Sequence, residues 1–157
     1  MKQLISSFFV LSFFFFPVFL SQAQTKHEKE KMVEDVLYYV NLHRTGMGLN
    51  KLDANPIITS EAIEHSRDMA DETISFGHDG FDERMKRIMK QVKPSNAAAE
   101  NVGEGAKTGK EMVDLWLHSP GHRKNIEGKY NLTGIGIVAN NKGVLYFTQI
   151  FINKRQL

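Results

Sequence analysis

Hydrophobic positions recur at two different periods along this chain, and the change of period separates its first two thirds from its last third. Val33, Val36, Leu37 and Val40 stand at i, i+3, i+4 and i+7, which predicts an amphipathic helix over residues 28 to 45 with a polar leading end. Gly46 and Gly48 end it. Asn55-Pro56 reads as a second helix start, with asparagine at the cap and proline in the first turn, and Ile58, Ala62, His65 and Met69 then mark one face. After the loop SFGHDGF, a third helical pattern puts Met85, Ile88, Met89 and Val92 on one side, the methionines serving as core filler. Pro94-Ser95-Asn96 breaks it, and Ala97 to Val102 follows as a short buried strand that carries Glu100. Thr108-Gly109-Lys110-Glu111 is a capping box for a fourth helix, with Met112, Leu115 and Trp116 as its apolar face. Ser119-Pro120-Gly121 should stop that helix, since proline lacks the amide proton and glycine accepts the angles of a sharp exit.

The last stretch alternates. Ile135 and Ile137 are interleaved with Gly134 and Gly136, Asn140-Asn141-Lys142-Gly143 is a turn, and VLYFTQIF is rich in β-branched and aromatic residues. A hairpin with both faces covered is the expectation. About four helices around a small, mainly antiparallel sheet, without βαβ alternation, define an α+β domain. No internal repeat or low-complexity linker interrupts it.

Composition adds an export route and removes some partners. Before the first helix, Lys2 precedes an apolar run from Leu4 to Leu20 and then Ser21-Gln22-Ala23, the form of a secretory signal peptide over residues 1–23. The run is short for a membrane span, and the small-residue site suits a signal peptidase. A polar tail over 24–32 and a single domain over 33–153 would remain. Lys2 is the signal's only charged residue, so 19 basic residues face 18 acidic ones in the rest of the chain. These charges are interspersed, as in KHEKEK and DERMKR, and form no one-sign stripe with aromatics, so nucleic acid is not an expected partner. With no cysteine there are no disulfides, stability rests on packing, and a bacterial-type route to a secreted or periplasmic location is expected. The sequon Asn131-Leu132-Thr133 matters only in a host that glycosylates.

Three ionisable residues fall in loop or strand contexts where packing does not require their type: His78, Glu100 and His122. Two imidazoles and a carboxylate suffice to hold a divalent cation such as zinc with a position open for water. The same residues suit a base and its orienting partner in a hydrolase, with Ser119 or a metal-bound water attacking. Serine before Pro-Gly is also common turn chemistry, and the spacing is not a helical HExxH. His65, alone among apolar neighbours, reads as a hydrogen-bonded core histidine. His118 precedes His122 by four residues, but the break between them argues against a helical metal pair.

The ordered motifs VNLHR, GLNKLDANPIITSEAIEHSRDMA, SFGHDG, AEN, WLHSPGHRKNI, TGIGI and YFTQIF strongly resemble the CAP superfamily, named for cysteine-rich secretory proteins, antigen 5 and plant pathogenesis-related proteins. The resemblance spans residues 33 to 152 and is to the cysteine-free, bacterial SCP-like branch. It implies an α-β-α sandwich with a central cleft of two histidines and two acids, sometimes holding a divalent ion. By motif the histidines fall on His78 and His122 and the first acid on Glu100. The second acid is missing: after the helix-four tryptophan this chain has Leu117-His118-Ser119, with Ser119 nearest to its place. The SPG bend would turn His122 into the cleft, with Arg123 and Asn125 joining the bend to neighbouring carbonyls or acids. With no convincing nucleophile, the resemblance favours an extracellular or envelope binding module over a hydrolase. Its partner would be a small ligand, a cell-envelope component or a protein.

Overall fold

A computed structural model describes residues 17–155, with side chains from His27 onward. Most of the expected leader, residues 1–16, lies outside the described residues. The elements are α1 (Pro17–Gly46), β1 (Asp53–Ala54), α2 (Pro56–Ala70), α3 (Phe81–Gln91), β2 (Ser95–Glu104), α4 (Gly109–His118), α5 (Pro120–Ile126), β3 (Leu132–Ala139) and β4 (Leu145–Lys154). The strands form one sheet in the order β1-β3-β4-β2, antiparallel except for the short parallel pairing of β1 with β3.

Strand alternation divides the core in two. Ile135, Ile137, Phe147 and Phe151 meet Val36 and Val40 of α1 and Met112, Val113 and Trp116 of α4 on one face. On the other, Ile150 and Ile152 meet Ile58 and Ala62 of α2 and Met85 and Ile88 of α3. The domain is therefore α+β, with helices on both faces of the sheet.

Glycines set the depth of the second face. A Cβ on Gly134 would lie 2.2 Å from the Thr59 amide nitrogen, and one on Gly136 would lie 2.3 Å from the Ala62 carbonyl. The α2 backbone thus rests directly on β3, which only glycine allows. Asn55 caps α2 from below, its side chain accepting from the Ile57 and Ile58 amides.

Several boundaries differ from the sequence expectation. α1 is helical through residues 24–32. Leu115 is 54% exposed, and the buried face of α4 is Gly109, Met112, Val113 and Trp116. At 100° per residue Leu115 falls off the arc those four share. Helices number five among the described residues, because Ser119-Pro120-Gly121 starts a helix as well as stopping one. Ser119 is extended (φ −94°, ψ 117°), as a residue before proline prefers, and serves as the last cap of α4 and the first of α5. Pro120 takes the first position of α5, where its missing amide proton costs nothing.

Candidate functional site

The site is built around one buried carboxylate. Glu100 lies on β2 opposite Ile150, facing the α2/α3 layer, with its side chain 1% exposed. A buried carboxylate needs partners, and Arg84 of α3 supplies two charge-assisted bonds. Its Nε donates to Oε2 at 3.1 Å and its Nη2 to Oε1 at 2.9 Å. Arg84 also donates from Nη1 to the Asp79 carbonyl at 2.6 Å, tying the loop between α2 and α3 to the same guanidinium. Gly80 makes room for this at φ 75°; a Cβ there would stand 3.2 Å from Nη1.

That loop carries His78. Its Nδ1 lies 3.0 Å from Glu100 Oε1, and because a carboxylate only accepts, the ring donates from Nδ1. The ring is 51% exposed. His65 of α2 holds the loop from beneath: its Nε2 bonds the Gly77 carbonyl at 2.9 Å and stands 3.7 Å from Glu100 Oε1. Burial is the main cause that pushes the His65 pKa below the ordinary imidazole value, with Glu100 pulling the other way. Its Nδ1 is buried without a hydrogen-bond partner among the described residues.

His122 sits on the first turn of α5 rather than in a bend. Burial first, and then the charge of nearby His78, hold its pKa below the ordinary range. Two asparagines fix α5 to the free edge of β2. Asn101 Nδ2 donates to the His122 carbonyl at 3.1 Å, and Asn125 Nδ2 donates to the Glu100 carbonyl at 3.1 Å and to Asn101 Oδ1 at 2.9 Å. The structuring role expected for Asn125 is what these bonds perform. Ser119 makes no side-chain cap bond, and His118 Nδ1 turns back onto the Asp114 carbonyl at 2.7 Å.

Sequence reasoning missed Arg84, which sits in the charged run DERMKR and reads there as solvated surface. It also missed Asn101, whose only signal was its place beside Glu100. As donors for a divalent ion, His78 and His122 offer imidazole nitrogens of the type zinc takes. Glu100, with both oxygens bonded, orients His78 from behind. Among the described residues no three of His, Cys, Asp and Glu form a metal-holding group.

A helix-covered sheet with His78, Arg84 and Glu100 bonded together at its β2 edge is the class of domain this geometry defines. Residues 37–151 match the CAP family, described as the cysteine-rich secretory protein family, and the chain belongs to it. It is 35% identical over 126 residues to an uncharacterized protein, YkwD, of Bacillus subtilis strain 168, covering 76% of this chain and 46% of that one. The uncharacterized membrane protein YlbC of the same organism is 29% identical over 133 residues, 83% of this chain and 36% of that protein. The chain thus spans less than half the length of these curated relatives.

Among solved structures, an extracellular SCP-domain protein from Bacillus anthracis superposes with a TM-score of 0.65 at 27% identity, covering 80% of this chain and 41% of that one. An outer surface protein from Borrelia burgdorferi gives 0.66 at 20% identity, covering 83% of this chain and 96% of that one, a likeness of fold.

Proposed function

We propose that this CAP domain is an exported binding module, secreted or periplasmic, whose cleft between His78 and His122 takes a divalent ion such as zinc or a small envelope ligand. The observation that carries the reading is the Glu100–His78 bond, which occupies Nδ1 and leaves Nε2 of the half-exposed ring for a ligand. His78 and His122 would hold the ion, Glu100 would raise the basicity of His78, and the ion would supply a Lewis-acidic centre. Without the second acid the donor set is two neutral imidazoles, so the expected affinity is modest. Export is supported by the apolar N-terminal run with its small-residue site and by the extracellular description of the Bacillus anthracis relative. A hydrolase with Ser119 or a metal-bound water as nucleophile would use the same cleft.

Calorimetric titration of the purified chain with zinc near pH 7.5 tests the metal reading. One site per chain is expected, lost in both His78→Ala and His122→Ala. Absence of binding in the unaltered chain would retire the ion and leave envelope ligands as the occupants to screen. Turnover of peptide, ester or glycan substrates, abolished by His122→Ala, would instead make the cleft catalytic.

A further inference from the structure

Large apolar side chains that reach solvent gather at one place. Three of the five among the described residues, Tyr38, Leu42 and Met47, lie on α1 or one residue past its end, 60%, 53% and 60% exposed. Tyr38 and Leu42 stand one turn apart, and Val36, Val40 and Arg44 bury the opposite side of the helix, so the pair tops its outward ridge. In steps of four the ridge runs back to Glu34 and on to Gly46. Leu42 divides two hollows, one of 320 Å³ beside Tyr38 and Thr45, the other of 380 Å³ beside Gly46 and Met47. A Cβ on Gly46 would meet nothing within 4 Å, so the second hollow is open down to the backbone. Glu34 and Lys51 both line the first hollow, and among the described residues neither makes an ion pair.

We infer that this ridge docks on the same ridge of a second copy of the chain, antiparallel, about a two-fold axis at Leu42. A two-fold contact requires a surface that complements itself, and this one does in shape and in charge. Leu42 meets the partner's Leu42, and Tyr38 falls opposite the partner's Gly46, whose missing side chain leaves room for the ring. Ridges spaced by four interlock in this way in the commonest class of helix contact, crossing at about −50°. Asn41 and Thr45 flank the centre, so closing the contact buries no unpaired charge there. The rotation carries Glu34, N-terminal on the ridge, toward the end of the partner's ridge that holds Lys51. A parallel pairing would set like charges together at both ends. The contact uses no residue of the histidine cleft, so it is independent of what that cleft binds.

The test is sedimentation of the purified exported chain from about 5 μM to 1 mM. One helix on one helix is small beside the roughly 1,600 Å² of a standard interface, so a Kd on the order of 100 μM is expected. The weight-average mass should climb toward twice that of one chain across this range. Leu42→Glu should weaken association about tenfold or more without changing Tm. Glu34→Lys and Lys51→Glu should each weaken it, and a one-to-one mixture of the two should associate again, because every contact then joins opposite charges. A single-chain mass at the highest concentration, association that survives Leu42→Glu, or a mixture no better than its components would each overturn the inference. The first result would leave the ridge to a partner of another kind.

Discussion

One guanidinium joins three parts of the cleft. Arg84 neutralises Glu100, holds the Asp79 carbonyl and so fixes the loop on which His78 rides. Truncation would leave a carboxylate buried beside neutral partners, a loss of about 3 kcal/mol or more for an uncompensated buried charge. Arg84→Met should therefore lower the urea midpoint sharply, and Glu100→Gln added to it should restore part of the loss. A loss below about 1 kcal/mol would mean that water reaches Glu100 and that the pair is not structural. The bond between His78 and Glu100 joins two residues that stood out in the sequence because their types are out of place in a loop and a strand. Arg84 did not, since an arginine between acids and lysines looks the same whether it is solvated or buried. His65 was read correctly as a bonded core residue; that its partner is the Gly77 carbonyl depends on the loop folding back over α2.

Elements meet here through backbone as much as through side chains. The Ile-Gly alternation of β3 was visible in the sequence, but its meaning is α2, whose carbonyls and amides occupy the space that side chains at 134 and 136 would take. Gly136→Ala is expected to push α2 from the sheet at a cost of about 1–3 kcal/mol, read as a lower urea midpoint with an unchanged m-value. A change within about 0.5 kcal/mol would show that the helix yields at little cost.

The SPG triplet makes the same point. It was read as a stop, and it is also a start, because an extended residue before proline ends one helix and a proline in the first turn begins the next. α5 has only seven residues, and its hold on β2 comes from Asn101 and Asn125. If zinc binds, Asn125→Ala should weaken it about tenfold through misplacement of His122, the usual scale for an outer partner. Calorimetry giving an unchanged Kd would remove α5 docking from the account of the site.

At the scale of the molecule, two partly buried histidines, His65 and His122, couple the site to stability. Burial is the first cause of the lowered pKa at both His65 and His122. The unfolded chain takes up these protons near the ordinary imidazole value of about 6.5, and the native chain only at lower pH. In that window the unfolded state binds more protons, so stability is full above about pH 6.5 and falls as the pH drops below it. Urea midpoints at pH 8, 7, 6 and 5 should decline along that series, and His65→Gln should flatten the decline. A midpoint that rises on acidification would mean that the native state accepts these protons more readily than the unfolded chain.

What the sequence determined by itself was whatever depends on neighbours along the chain. The helical and alternating periods, the Asn55 and Thr108 caps and the α+β class all follow from local spacing and residue type. Tertiary structure decided the rest. Leu115 is outside and Arg84 inside, Glu100 serves His78 from behind, and β1 pairs with β3 over only two residues. Each of these depends on which groups meet across the sheet, and burial, pairing and charge compensation arise only from contacts between residues distant in sequence.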